Sequence, residues 1–331
     1  MKTSEKISSL IEKHTNRKYP EYHAEEERNI LCIDGGGMRG ILPVTVLQRV
    51  RQHLDECGYK GDICKGFDLL CGTSTGGLIA LTLTCCKEDL NNLEKIYMTC
   101  GADIFPVSVE NLFGLRQIAD SKYPSDGIER ALHSWFGERT LADAHAPVFV
   151  VSYELLTGHE FLISSYSTPN WTVKDAGRAT SAAPTYFPPL RKDGQIFIDG
   201  GVIANNPSVF AYAEARRLYP DCKRFNILSI GTAGRRHRMQ PDAGSGLLDW
   251  VDQLLPMYQS SQKRASDFIM DELPDVRYVR IDGYMTENMK MDDTSEKSLC
   301  SLRELGKRLS DVYDDELQWF ASKIVSRMQN S

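Results

Sequence analysis

The chain has 331 residues, of which 41% are hydrophobic and 25% charged, and its formal net charge is −6. This composition is typical of a globular protein long enough to bury a sizeable core, and the negative charge argues against a nucleic-acid polymer as partner. No apolar run reaches the 18 residues of a membrane-spanning helix. Nine cysteines without metal or disulfide spacing, together with a polar N-terminus, favour a reducing, cytoplasmic location.

The elements follow a regular order along the chain. Residues 1–28 are charged and are expected to form a helical extension. From residue 29, short apolar runs typical of buried strands alternate with longer stretches of helical periodicity. This alternation predicts an α/β fold with a largely parallel central sheet flanked by helices. Strands are predicted near residues 30–33, 67–71, 147–151, 161–164, 196–198 and 225–230, and helices near 41–54, 76–83, 91–100, 127–135 and 208–218.

The alternation ends near residue 232. We therefore predict a core over 29–232 and a mainly helical C-terminal part over 233–331, packed on that core. One long helix is expected from about Leu299 to Met328, because its apolar residues recur near a period of 3.6. Its polar face carries charges of both signs, which favours packing against protein over docking on a membrane.

The first chemical motif is the segment from Asp34 to Gly40, DGGGMRG, between a predicted strand and a predicted helix. Its glycines allow a tight turn and expose consecutive backbone N–H groups, which suit a phosphate or the oxyanion of an acyl-transfer intermediate. The segment also matches the dinucleotide-binding pattern Gly-x-Gly-x-x-Gly. That pattern needs an acidic residue at the end of a second strand, whereas Asp55 follows a helix. A glycine turn without any ligand is the stronger alternative for this segment alone.

The second motif is the segment from Gly72 to Gly76, GTSTG, again between a strand and a helix. It matches the nucleophile elbow Gly-x-Ser-x-Gly, in which a sharp turn exposes the serine oxygen. The third motif is Asp199-Gly200-Gly201, directly after an apolar run. Alone, this aspartate could simply stabilise a turn.

A hydrolytic serine needs a base. None of the seven histidines lies in a recognisable catalytic context, so a pair of Ser74 and Asp199 is more economical than a triad. The histidines are His14, His23, His53, His133, His145, His159 and His237.

These three motifs, in this order, resemble those of the patatin-like phospholipase family. The resemblance covers about 29–206 and extends to the segments 179–184 and 187–188. It implies a patatin-like three-layer α/β fold and a lipid acyl hydrolase of the phospholipase A type that requires no metal and no cofactor. Ser74 would be the nucleophile and Asp199 the base. The oxyanion hole would comprise the amides of Gly36, Gly37 and Met38, with Arg39 holding their loop, and the supporting motif positions are Asp34, Gly35, Gly40, Gly72, Gly76 and Gly200.

Two further stretches bear on substrate and control. Residues 104–115 are apolar and could form either a lid over an acyl-chain entrance or a core segment. Residues 231–238 combine glycines with basic side chains, so Arg235 and Arg236 are candidates for binding a phosphate, the alternative being a solvated loop.

The length and general layout of the chain also resemble those of bacterial patatin-like effectors of antiphage signalling. That resemblance implies activation by a cyclic di- or trinucleotide, degradation of membrane phospholipid and peripheral contact with the inner membrane. A homo-oligomer is a further expectation. The alternative from another functional class is a catalytically idle module that binds lipid or nucleotide, and the intact pair of Ser74 and Asp199 argues against it.

Overall fold

The computed structural model describes residues 26–86, 90–104, 121–234, 247–285 and 289–329. Its strands are β1 (Glu27–Ile33), β2 (Leu69–Thr73), β3 (Val148–Glu154), β4 (His159–Ser164), β5 (Leu190–Lys192), β6 (Gln195–Asp199), β7 (Arg224–Ile230) and β8 (Val276–Ile281). Its helices are α1 (Ile41–Glu56), α2 (Thr75–Cys85), α3 (Leu90–Ile104), α4 (Ser125–Phe136), α5 (Val173–Thr180), α6 (Ser208–Leu218), α7 (Leu247–Glu272), α8 (Glu296–Val312) and α9 (Asp314–Gln329).

The strands form one sheet in the order β5-β6-β3-β2-β1-β7-β8, and β4 also pairs with β3. Pairing is parallel from β3 through β2, β1 and β7 to β8, and antiparallel among β3, β4, β5 and β6. A mostly parallel sheet must be covered on both faces, which is why its strands read as continuous apolar runs. The predicted α/β class with a largely parallel sheet is confirmed.

Two hydrophobic clusters show how the layers are arranged. Along β1, Leu31 and Ile33 join the cluster that contains the apolar faces of α1, α2, α8 and α9. Ile30 and Cys32 point to the opposite face and join the cluster under α6 and α7. This alternation follows from the period of two in a strand, and it produces three layers with the sheet in the middle.

The C-terminal part differs from its predicted form in two ways. The expected single helix from Leu299 to Met328 is two helices, α8 and α9, which meet at Tyr313. Asp314, at the start of α9, accepts hydrogen bonds from Arg49 and contacts His53, both on α1, so these contacts position the break. In addition, β8 was not among the predicted strands, and through it residues beyond 232 contribute a strand to the central sheet.

The predicted N-terminal extension lies almost wholly outside the described residues, and Glu27 and Arg28, which were assigned to it, already belong to β1. In the described ranges, no helix is both long enough and apolar enough to cross a membrane. The same ranges contain no group of three or more His, Cys, Asp or Glu side chains placed to hold a metal ion.

Candidate active site

Ser74 occupies a sharp turn between β2 and α2, with a φ of 52° and a ψ of −124°. A positive φ is costly for a residue with a side chain, so the surrounding structure must impose it. The two flanking glycines allow the chain to close this turn. A Cβ at Gly72 would lie 2.2 Å from the backbone of Gly76, and a Cβ at Gly76 would lie 2.2 Å from the carbonyl oxygen of Ile33. The GTSTG segment therefore forms the predicted strand-to-helix turn.

Side chains on both sides of this turn fix its backbone. The N–H of Ser74 donates to the Thr180 hydroxyl oxygen at 3.0 Å, and that hydroxyl donates to the carbonyl of Val151 at 2.5 Å. The Thr73 hydroxyl donates to the carbonyl of Ala204 at 2.6 Å. These bonds anchor the turn to β3 and to the segment that follows β6, so the serine oxygen has a defined position.

Asp199 lies at the end of β6, beside Ser74. Its carboxylate accepts a hydrogen bond from the N–H of Gly201 at 2.7 Å and lies near the Ser74 hydroxyl. Burial raises the pKa of Asp199 to about 6, although its interactions with the Ser74 hydroxyl and the Gly201 N–H act to lower it. Such a group is ionised at neutral pH and is still a stronger base than an exposed carboxylate. The structure thus places the two predicted dyad residues, which follow or end two different strands, next to each other.

The glycine motif follows β1 and forms a 3-10 turn over Gly37–Gly40 that leads into α1. The amides of Gly36 and Gly37 have no acceptor within the described ranges, and both residues line the same pocket as Ser74. The Met38 N–H, by contrast, donates to the carbonyl of Met291 at 2.8 Å. Of the three amides predicted for the oxyanion hole, two are therefore open and one is engaged.

Arg39 lies where the sequence analysis expected a residue that holds this loop. Its Nε donates to the carbonyl of Gly36 at 3.1 Å, and its Nη1 donates to the carbonyl of Ala233 at 2.8 Å. The Gly35 carbonyl accepts from the Thr232 hydroxyl at 2.7 Å. With their carbonyls held in this way, the N–H groups of the loop keep a constant direction, as a preorganised oxyanion hole requires.

A buried charged cluster behind the loop was missed by the sequence analysis. Arg280, 1% exposed at its side chain, donates from Nη1 and Nη2 to both carboxylate oxygens of Asp34, at 2.8 and 2.5 Å. The same guanidinium approaches Asp267 at 3.2 Å and Asp282 at 3.1 Å, and Lys263 pairs with Asp282. Arg280 is one of two arginines in β8, with Arg277, so its charge alone did not mark it as a buried position.

A pocket extends from Ser74, Asp199 and the glycine loop between α2, α3 and α4. Its walls are almost entirely apolar away from the dyad, which suits a hydrocarbon chain better than a polar ligand. The apolar lining comprises Leu78, Ile96, Tyr97, Ile104, Ile128, Trp135, Ala183, Pro184, Tyr186, Phe187 and Met291.

Some of the predicted functional positions cannot be placed relative to this pocket. Arg235 and Arg236, the candidate phosphate ligands, lie outside the described residues, as does most of the stretch 104–115, for which a lid and a core segment were both considered. Ile104 lines the pocket. Gly200 begins a 3-10 turn directly after Asp199, over Gly200–Val202.

Comparison with known proteins agrees with this geometry. The family model described as patatin-like phospholipase matches residues 31–212. Patatin-like protein 2 of Arabidopsis thaliana is 29% identical over 283 residues, which cover 72% of this chain and 70% of that protein. The cGAMP-activated phospholipase of Escherichia coli (strain TW11681) is 30% identical over 321 residues, covering 86% of this chain and 88% of that one.

A second protein named cGAMP-activated phospholipase, from Pseudomonas aeruginosa, is 30% identical over 285 residues, covering 82% of this chain and 81% of that one. The family model spans more than half of the chain and includes all three motifs, so the predicted family and class of enzyme are confirmed. The chain belongs to the patatin-like phospholipase family and is a lipid acyl hydrolase.

Proposed function

We propose that this enzyme hydrolyses an acyl ester of a phospholipid with Ser74 as nucleophile and Asp199 as base. The observation that carries the proposal is the position of Ser74 beside the buried carboxylate of Asp199, at the opening of one pocket. Ser74 lies at the N-terminus of α2, beside two open glycine amides. A nucleophile, a base and oxyanion donors therefore meet at the opening of one apolar pocket.

The proposed reaction has two stages. Asp199 takes the Ser74 proton as the serine oxygen attacks the ester carbonyl, and the amides of Gly36 and Gly37 stabilise the oxyanion that forms. One such donor typically contributes ~3–4 kcal/mol, and the N-terminal dipole of α2 acts in the same direction. Asp199 then protonates the departing alcohol. In the second stage it removes a proton from water, which attacks the acyl-enzyme, and it returns that proton to the Ser74 oxygen as the fatty acid is released.

Fatty-acid release from mixed phospholipid vesicles, in the presence of a chelator, tests this assignment. Ser74→Ala and Asp199→Asn should each abolish release, whereas Ser134→Ala, at an exposed position of α4, should match the wild type. A labelled fluorophosphonate should mark the wild type and not Ser74→Ala. Labelling and release that persist in Ser74→Ala would refute Ser74 as the nucleophile.

We further propose that a cyclic oligonucleotide activates the enzyme through the basic segment 231–238, which contains Arg235 and Arg236. Two relatives named cGAMP-activated phospholipases, each 30% identical, cover 86% and 82% of the chain. The start of this segment contacts the glycine motif, because Thr232 bonds Gly35 and the carbonyl of Ala233 holds Arg39. A ligand that displaces Thr232 and Ala233 would therefore act on the carbonyls that orient the oxyanion donors.

A panel of cyclic di- and trinucleotides added to the vesicle assay tests this activation. One nucleotide should raise the release of fatty acid, and Arg235→Ala together with Arg236→Ala should remove that increase without changing release in its absence. Activation that survives the double substitution would exclude the basic segment as the binding site. Release by the wild type that no nucleotide changes would exclude activation by a nucleotide.

Hydrolysis of a bilayer lipid requires that the protein reach the membrane surface. We infer peripheral contact, at the cytoplasmic face of the inner membrane, and we expect assembly into a homo-oligomer. Co-sedimentation of Ser74→Ala with phospholipid vesicles tests the contact, and light scattering with and without nucleotide tests the assembly. A protein that stays monomeric and in the supernatant under both conditions would contradict both expectations.

A further inference from the structure

The apolar pocket has two ends, and the contacts of α2 and α4 identify them. α2 begins next to Ser74. α4 begins at the same end, because the N–H of Tyr123 donates to the carbonyl of the pocket residue Tyr186 at 2.8 Å, and the Tyr123 hydroxyl donates to Asp292, the neighbour of Met291. The far ends of these two helices also meet, since the Sγ of Cys86 lies 3.8 Å from the carbonyl oxygen of Trp135. Both helices therefore run from the dyad toward the inner end of the pocket.

Two residues of α4 mark the length of this pocket. Ile128 and Trp135 both line it and are seven positions apart, so they lie on one face of the helix about 10.5 Å apart along its axis. Ile128 is within one turn of the helix start, near the dyad, and Trp135 lies in the last turn. Helical side chains lean toward the N-terminus, so the indole is directed back along the helix toward Ile128 and the dyad.

One face of α3 forms a wall of the pocket at its dyad end. Tyr97, Gly101 and Ile104 line the pocket at positions i, i+4 and i+7, and the Tyr97 hydroxyl contacts that of Thr75, the neighbour of Ser74. Leu78 of α2 lies one turn beyond Thr75 and also lines the pocket. From the dyad, the apolar space therefore continues as a channel along α2 and α4 to the Trp135 ring.

We propose that Trp135 closes the inner end of this channel and sets the length of acyl chain that the enzyme prefers. The proposal rests on the proposed function, because it requires that the acyl group attacked by Ser74 occupies the channel. Each further methylene that the channel buries should raise kcat/KM about fourfold. This increase should stop at the chain length that reaches the indole, since a longer chain must bend or remain in water.

A series of p-nitrophenyl esters, from butanoyl to palmitoyl, measures this limit as the acyl length at which kcat/KM is highest. Trp135→Ala should move the maximum to longer chains by several carbons. Ile128→Trp should move it to shorter chains, because it places the same ring two turns nearer the dyad. The matched control is His133→Ala, on the exposed side of the same helix, whose profile should coincide with that of the wild type.

Unchanged profiles in both pocket variants would overturn the proposal, as would an equal loss of kcat/KM at every chain length, which indicates only a structural role. Binding of fatty acids of graded length to Ser74→Ala provides a readout without turnover, with and without Trp135→Ala. Suppose that the wild type hydrolyses no ester, but that Trp135→Ala still increases the length of the fatty acid that binds most tightly. The proposed function then fails, while the assignment of the channel stands. If the affinity does not depend on the length of the fatty acid, the assignment of the channel is overturned as well.

Discussion

The carbonyl oxygen of Met291 accepts a 2.8 Å hydrogen bond from the N–H of Met38, one of the three amides predicted for the oxyanion hole. The next residue, Asp292, anchors this contact. Its carboxylate accepts a hydrogen bond from the Tyr123 hydroxyl at 2.8 Å and pairs with Lys122, and its side chain is only 4% exposed. Residues 291–292 thus connect the glycine loop to the segment that leads into α4, and they withhold one donor from the substrate.

Removal of this anchor should increase turnover. We expect Asp292→Ala to raise kcat severalfold, because a mobile Met291 carbonyl leaves the Met38 N–H free to serve the oxyanion. The upper limit is the factor of about 10²–10³ that one such donor contributes. Asp293→Ala is the matched control, since Asp293 bonds Ser295 and Ser298 at the start of α8 and should not change kcat. A kcat that falls in Asp292→Ala would show that Met291 supports the active conformation instead.

The pH dependence of the reaction should follow Asp199. Because the carboxylate must be ionised to accept the Ser74 proton, kcat/KM should fall about tenfold per pH unit below its pKa of about 6. The profile should be measured with a soluble ester, so that vesicle properties do not contribute. An inflection near 3.8, the ordinary value for an aspartate, would mean that burial does not raise this pKa.

The same pKa predicts a gain in stability on Asp199→Asn. Since the folded chain binds this proton more tightly than the unfolded chain, ionisation of Asp199 destabilises the fold as the pH rises from 3.8 to about 6. The difference between the two values corresponds to ~3 kcal/mol. Urea unfolding should therefore show a higher free energy of unfolding for Asp199→Asn above pH 6, by up to ~3 kcal/mol, and a smaller difference near pH 4. A constant difference across this range would contradict the titration of Asp199 as its cause.

Strain at the nucleophile should be visible in two inactive variants. Ser74 has a φ of 52°, which glycine adopts freely and alanine does not. Ser74→Gly should therefore have a free energy of unfolding about 1 kcal/mol or more above that of Ser74→Ala. The same pair at Ser301, an exposed residue within α8, should show the reverse order, because glycine lowers helix stability by about 1 kcal/mol. If the alanine variant is more stable than the glycine variant at position 74 as well as at position 301, strain at Ser74 is excluded as a large contribution.

Two arginine–aspartate pairs, each with two hydrogen bonds, allow the effect of burial on such a pair to be tested. Arg280 with Asp34 is buried at about 1–2% exposure, whereas Arg49 with Asp314 is about one-third exposed. Arg280→Met should lower the free energy of unfolding by ~3–5 kcal/mol, because it leaves buried carboxylates unpaired. Arg49→Met should cost less than ~1 kcal/mol. The free energies of unfolding can be measured by thermal unfolding. Equal decreases in the two variants would show that burial does not govern the strength of these pairs.

Local sequence was enough to predict the turns that carry the chemistry. The glycines of GTSTG permit a backbone that other residues would block, and the apolar runs before them indicate strands covered on both faces. In the parallel part of such a sheet, motifs at the carboxyl ends of strands meet along one edge, which brings the glycine loop after β1 to Ser74 after β2. Asp199 reaches the same place by an antiparallel strand: β6 ends opposite Ser152, one residue beyond the partner of Thr73 on β3. That pairing was not predictable from the rule for parallel strands.

Tertiary contacts determine several features that the periodicity of a single segment does not predict. The apolar period continues through Tyr313, and only the contacts of Asp314 with α1 accompany a break there. The sequence does not distinguish Arg280 from Arg277 in β8, and only the pairing of β8 with β7 and of β7 with β1 brings Asp34 to Arg280. The engagement of Met38 by Met291, and the position of Trp135 at the inner end of the pocket, depend on segments far apart in the chain. Motifs report the local backbone, whereas partners across the fold determine which donor is open and where the pocket ends.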